Sequence, residues 1–275
     1  MIYLLSAEGR RALRSVASQR VLYAFDFDGT LAPLSPNRHG VKIPRSVSEW
    51  LKELAKRAPC AIVSGRSVAD LTPRVAGTVP YLIGNHGIEG PAADAQLART
   101  AERICAEWKG HMTTQLAEAF RTLSIDVEDK RYSLTLHFRD AAEPAKVQLA
   151  ILGLVQQLTP APRIITGKWS VNLLPPGHAT KGSATLALTK QLKRDGLFFV
   201  GDDETDESVF SLKTGIIMGV RVGRAAESHA KFYVKHQSEV EEVLRFLVHR
   251  MDRTPEAAEE DDRKPNAPRE AANDL

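Results

Sequence analysis

VLYAFDFDGTL, residues 21–31, is the stretch on which the fold turns. Val21 to Phe25 form a continuous apolar run, the mark of a parallel strand buried on both faces. The run stops abruptly at Asp26, and Gly29 lets the chain turn sharply just beyond the second acid, Asp28. Three further runs end the same way: CAIV (60–63) before Ser64, YLI (81–83) before Gly84 and LFFV (197–200) before Gly201. Helical patterns separate them, SVSEWLKELAKR over 46–57 and KGSATLALTKQLKR over 181–194. The alternation predicts an α/β fold with a parallel sheet, which GIIMGV (215–220) and KFYV (231–234) are expected to complete. In open sheets of this kind ligands sit beyond the carboxyl ends of the strands. Every polar cluster just named lies at such an end.

Between about residues 90 and 176 the texture changes. A long amphipathic stretch (97–123) leads into SIDVEDK (124–130) and YSLTLHFR (132–139). In the latter, Tyr132, Leu134, Leu136 and Phe138 alternate with Ser133, Thr135, His137 and Arg139, the period of a half-buried strand. PAKVQLAILGLVQQL (144–158) reads as a helix, and RIITG and KWSVNLL (163–174) as two more strands. The unit is α-β-β-α-β-β with helices over one sheet face and a free polar face. The expected organisation is an N-terminal helical segment (1–20), a core domain (21–89 and 177–250), a smaller inserted α+β cap domain (90–176) and a disordered acidic tail (251–275).

Composition narrows the function. The 275 residues carry a formal charge of +3. From Met251 to Leu275 there are eight acidic against four basic residues, about −4, which leaves about +7 on the body. A mildly basic body suits an anionic small substrate and is too dilute to argue for nucleic acid. No segment nears the roughly 20 apolar residues of a membrane span, and the basic residues follow the short MIYLL run, the reverse of a secretory signal. Cys60 and Cys105 show neither disulfide nor metal-ligand spacing, so two reduced thiols in a cytoplasmic protein are expected.

The chemistry-bearing residues gather at the strand ends. Asp26 and Asp28 in DFDGTL are close enough to repel unless a cation or a shared proton offsets them. Oxygen ligands of this kind select Mg²⁺. Taken alone the pair could merely begin a turn. GDDETDE (201–207) contributes Asp202, Asp203 and Asp206, and by itself could be only an acidic helix start. Both clusters at strand ends of one sheet make a metal cage. Ser64 can donate to a phosphoryl oxygen, Gly65 permits close backbone approach, and Lys181 stands where the helix dipole opposes a cation. On the free face of the inserted sheet, Glu128 and Lys130 share one side of their strand, as do His137 and Arg139 on the next. Those groups are candidates for substrate contacts, with Arg66, Asn85 and His86 from the core side, unless the face is simply solvated. RHGVKIP (38–44) approaches a phosphohistidine motif around His39 but follows no buried strand, so it is set aside.

DFDGTL, SGR, a lysine ahead of a helix and GDDETDE, in this order with a cap between the second and third, resemble the four motifs of haloacid-dehalogenase-type phosphatases. GNHGIEG (84–90), VEDKRYSLTLHFR (127–139) and GDDETDESVF look like the trehalose-6-phosphate phosphatases within that superfamily. The resemblance spans about residues 23–248. It implies a haloacid-dehalogenase-like Rossmannoid core and hydrolysis of trehalose 6-phosphate through an aspartyl phosphate on Asp26. Asp28 would be the acid and base, and Ser64 and Lys181 would bind the phosphoryl group. Asp26, the Asp28 carbonyl and Asp202 would hold Mg²⁺, supported by Asp203 and Asp206. It also implies functional pairing with a trehalose-6-phosphate synthase. One departure stands out: family members often carry an acid in the strand before the motif lysine, where this chain has Asn172. The competing readings are a phosphatase of sucrose phosphate or glucosylglycerate phosphate, and a catalytically silent module that senses a sugar phosphate.

Overall fold

The computed structural model describes residues 1–35, 40–75, 77–167, 169–214 and 216–252. In chain order the first half-sheet is built from Ile2–Tyr3 (β1), Ala7–Ala17 (α1), Val21–Asp26 (β2), Arg45–Arg57 (α2), Cys60–Val63 (β3), Val68–Val75 (α3) and Tyr81–Ile83 (β4). The inserted unit follows: Ala95–Gln115 (α4), Ala117–Thr122 (α5), Asp126–Asp129 (β5), Leu134–His137 (β6), Pro144–Leu154 (α6), Arg163–Gly167 (β7) and Ser170–Leu174 (β8). The chain then returns through Lys181–Gln191 (α7), Gly196–Gly201 (β9), Glu207–Phe210 (α8), Ile216–Val222 (β10), Phe232–Val234 (β11) and Glu239–Met251 (α9).

The larger sheet is seven-stranded in the order β1-β11-β10-β9-β2-β3-β4, and every pairing in it is parallel. β2 is unbroken in its apolarity because both its faces are covered. Val21, Tyr23 and Phe25 join the core that includes Leu13 of α1, Leu51 of α2 and Leu244 of α9. Leu22 and Ala24 join the opposite core with Leu188 of α7 and Val209 of α8. Leu51 is fully buried, so Leu51→Ala would cost about 2–5 kcal/mol. Strand order reverses between β2 and β9, since the chain runs outward to β3 and β4 on one side and to β10 and β11 on the other. That switch point opens a crevice at the carboxyl ends of these two strands.

The second sheet is antiparallel, ordered β5-β6-β8-β7. Its apolar face, Leu134, Leu136, Val171 and Leu173, packs against Trp108 and Met112 of α4 and Ile151 of α6. Trp108 is fully enclosed and satisfies its indole N–H on the Pro160 carbonyl at 3.0 Å.

Two local expectations change. The first residues do not all belong to a helical segment: Ile2–Tyr3 form an edge strand, because Ile2 and Leu4 donate to the Lys231 and Tyr233 carbonyls. The helix starts only after Ser6, whose hydroxyl accepts from Gly9 N–H. The long stretch 97–123 is two helices broken at Leu116. Arg38, His39 and the acidic tail from residue 253 lie outside the described residues. No helix among the described residues is long and apolar enough to cross a membrane.

Candidate active site

Asp26 ends β2 with its side chain almost wholly buried. Beyond it the chain must double back past Asp202, and Gly29 makes this feasible. Its φ is +81°, and a Cβ there would lie 2.1 Å from Asp202 Oδ2. Across the switch point, Asp202 follows β9 and accepts from Thr30 Oγ1 at 3.2 Å. Asp206 folds back beneath it, accepting from the backbone N–H groups of Asp202 (2.9 Å) and Asp203 (3.0 Å). Oxygens of Asp26, Asp202 and Asp206 lie within 4.8 Å of one another.

Lys181 is the first residue of α7, behind a Thr180/Ser183 capping box. The helix dipole disfavours a cation there. The opposing force is direct: its Nζ lies 2.7 Å from Asp26, 2.9 Å from Asp206 and 3.7 Å from Asp203. Burial would favour the neutral amine, yet these carboxylates hold Lys181 charged, well above the ordinary lysine range. One cation does not balance the acids. Burial raises Asp26 well above the usual carboxylate range, with Lys181 opposing and Asp206, Asp202 and Asp203 adding to the rise. Burial likewise pushes Asp206 up to about 7 and Asp202 up to about 6. An all-oxygen, close-set group whose members resist ionising together fits a hard divalent cation.

The other two acids of the expected cage are engaged elsewhere. Arg66 grips both oxygens of Asp28 at 2.7 Å, and Asp70 bridges Arg66 (2.8 Å) to Arg74 (2.6 Å). Asp203 Oδ1 accepts from the Thr205 N–H and hydroxyl and from Asp206 N–H. Their side chains therefore sit outside the three-carboxylate group.

A cleft of about 480 Å³ opens from Asp26 and Lys181. Asp28, Ser64, Gly65, Arg66, His86 and Asp203 line its core side, and Glu128, Lys130, His137 and Arg139 line the facing sheet. Glu128 meets His137 at 3.0 Å and Lys130 at 3.9 Å, and Arg139 lies over the Trp169 ring at 5.5 Å. Asn85 is the exception among the expected contacts. Fully buried, it donates to the Lys130 carbonyl (2.7 Å) and Glu89 (3.2 Å) and accepts from Ser133, so it ties the two sheets together and does not line the cleft. Thr135, Asn172 and Trp169 also line the cleft, beyond the contacts expected from the sequence. Thr135 shares the period of His137 and was findable on that ground. Trp169 sits in a hairpin with no such signal.

The chain is 30% identical over 209 residues to a trehalose-phosphate phosphatase of Mycobacterium avium (strain 104), covering 72% of this chain and 53% of that protein. It thus spans about half the length of the curated relatives it matches. The structure of Aspergillus fumigatus trehalose-6-phosphate phosphatase superposes with a TM-score of 0.57 at 23% identity, covering 90% of this chain and 99% of that one. A haloacid dehalogenase-like hydrolase from Bacteroides thetaiotaomicron gives 0.58 at 15% identity, covering 82% and 99%. At these identities the two structures speak for the fold alone, which is haloacid-dehalogenase-like. The family model for trehalose-phosphatase matches residues 24–238, and with it the strand-end acids and the facing sheet. The chain belongs to the trehalose-phosphatase family.

Proposed function

We propose that this chain is a Mg²⁺-dependent phosphatase that hydrolyses trehalose 6-phosphate to trehalose and phosphate. The observation that carries the reading is the meeting of Asp26, Lys181, Asp202 and Asp206 at the edge of a cleft that Asp26 and Lys181 line and whose opposite wall is polar. Asp26 Oδ attacks phosphorus, the bond to the sugar oxygen breaks, and Asp28 gives that oxygen a proton. Water then attacks the aspartyl phosphate, Asp28 takes its proton, and Asp26 is restored. Arg66 orients Asp28 until it turns to the leaving oxygen. Ser64 and Lys181 hold the phosphoryl oxygens. Asp26 and Asp202 would hold Mg²⁺, with Asp206 behind, and the ion would supply neutralisation of the charge that gathers there. Residues 90–176 act as a cap whose Glu128, Lys130, His137 and Arg139 take the sugar hydroxyls and exclude water.

The ester must come from a synthase that joins the two sugars, with which this chain is paired functionally in the cytoplasm. Phosphate release from trehalose 6-phosphate with Mg²⁺, abolished by EDTA, tests the assignment. Inactive wild-type protein would leave the silent sensing module as the better account. A second reading rests on Asn172, a neutral side chain in the cleft wall that accepts from Thr135 Oγ1 at 2.7 Å. If another sugar phosphate is the substrate, sucrose phosphate or glucosylglycerate phosphate will outpace trehalose 6-phosphate in the same assay.

A further inference from the structure

Asn85 and His86 stand side by side in the left-handed region, with φ of 52° and 57°. Adjacent non-glycine residues there carry strain that surrounding structure must hold, and such strain gathers at ligand sites. Here the holding bonds run from Asn85 N to the Arg66 carbonyl (2.6 Å) and from His86 N to the Ser64 carbonyl (3.0 Å). The result is an imidazole pressed onto the backbone of Gly65. A Cβ at that position would fall 2.5 Å from His86 Cε1 and 2.7 Å from Nε2, so only glycine leaves room for the ring.

His86 is 8% exposed and lines the cleft beside Ser64 and Lys181. Its Nδ1 is enclosed and meets no hydrogen-bonding partner among the described residues. A buried N–H without an acceptor is harder to sustain than a lone pair without a donor, which puts the proton of the neutral ring on Nε2. Burial, with Lys130 and Lys181 adding to it, holds the ring neutral. Around Gly65 the side chains of Ser64, Lys181 and His86 are thus all able to donate. Donors converging from several sides suit a group that only accepts, as phosphoryl oxygens do. A sugar hydroxyl both gives and accepts, and the Glu128–His137 pair offers it both.

We propose that His86 donates its Nε2 hydrogen to a phosphoryl oxygen, next to Ser64 and Lys181, and is not a sugar contact. The assignment rests on the phosphatase reading of the cleft. His86→Asn keeps a residue that tolerates the left-handed backbone and places its amide where Nδ1 lies, removing the donor at Nε2; His86→Gln reaches the Nε2 position. Inhibition by inorganic phosphate should weaken about ten- to a hundredfold in His86→Asn, the loss of one hydrogen bond to a charged group, and recover largely in His86→Gln. Inhibition by trehalose should stay unchanged in both. Undiminished phosphate inhibition in His86→Asn, or weakened trehalose inhibition in its place, overturns the proposal. Imidazole ¹⁵N spectra of the wild type with Mg²⁺ require neither a foldable variant nor turnover. A neutral ring protonated at Nε2, with that proton moving downfield as inorganic phosphate is added, supports the contact, whereas an Nδ1–H ring or an unmoved proton refutes it. Failure of ester hydrolysis with a positive ¹⁵N result would instead count against the phosphatase reading alone.

Discussion

The two walls of the cleft are built by opposite means. At the carboxyl edge of the parallel sheet, Asp26, Lys181 and Asp206 are at most 4% exposed, and each is held by strand ends, a helix cap or backbone N–H groups. On the facing sheet, Glu128, Lys130 and His137 are partly open to solvent and Arg139 is exposed. Charges in the first wall interact through a medium that screens poorly, so each acid shifts its neighbours. Charges in the second are screened, and each pair is worth little to stability. The buried wall is therefore suited to chemistry that must not vary, and the open wall to recognition that can be retuned by single replacements without loss of the fold.

The sharpest way to break this contrast is Asp26→Asn. The proposed nucleophile is removed with little change of shape, so turnover of trehalose 6-phosphate should fall on the order of 10⁴-fold or more, read by phosphate release. Undiminished turnover would remove the buried wall from the chemistry. Lys181→Met comes next. It leaves Asp26 and Asp206 without their buried cation, and both activity and folding should suffer. We expect turnover down about 10²–10³-fold and a loss of about 3–5 kcal/mol in denaturant unfolding. A variant as stable as the wild type would mean that the ion pairs are not what holds this wall.

Metal and pH should act together on the same wall. Asp206 at about 7 and Asp202 at about 6 bind protons more tightly folded than unfolded, where the ordinary value is 3.8. In the metal-free protein the stabilisation from these two acids should be fully present below about pH 4 and lost as pH rises through 6 and 7. Saturating Mg²⁺, which binds the ionised acids, should flatten or reverse that slope. Melting curves at pH 5 and pH 8 with EDTA and with Mg²⁺ check the sign. The smallest effects belong to the open wall. Glu128→Gln and Arg139→Ala should each raise KM about tenfold, leave kcat within about threefold, and shift stability by no more than about 0.5 kcal/mol. A collapse of kcat in either would show that the facing sheet takes part in the chemical step.

Legibility divided along the same line. Asp26, Ser64, Lys181 and Asp202 were readable because each follows an apolar run or opens a helix, and strand ends of one parallel sheet share one edge. The facing wall was readable in its strand period, which brought Glu128, His137 and Arg139 out together. Asn85 was misjudged because its neighbour in the chain, His86, does line the cleft, and nothing local tells that one side chain points into the second sheet and the other into the crevice. Asp28 and Asp203 stand in the same two acidic motifs as Asp26 and Asp202, and the motifs do not say where their side chains turn. Their capture by Arg66 and by Thr205 is a matter of three-dimensional placement.

The chain alone determined the α/β alternation, the inserted antiparallel unit and the residues at the strand ends, since these follow from side-chain period and from glycine and acid placement within a few residues. Which acids share one site was decided only by the fold. The order β9-β2-β3 brings Asp202 against Gly29 and Lys181 against Asp26 across a sequence separation of 155 residues in the latter case. Local propensity carries no information over such a distance, because closure of those long loops is governed by the joint burial of both sheet faces and not by any one segment.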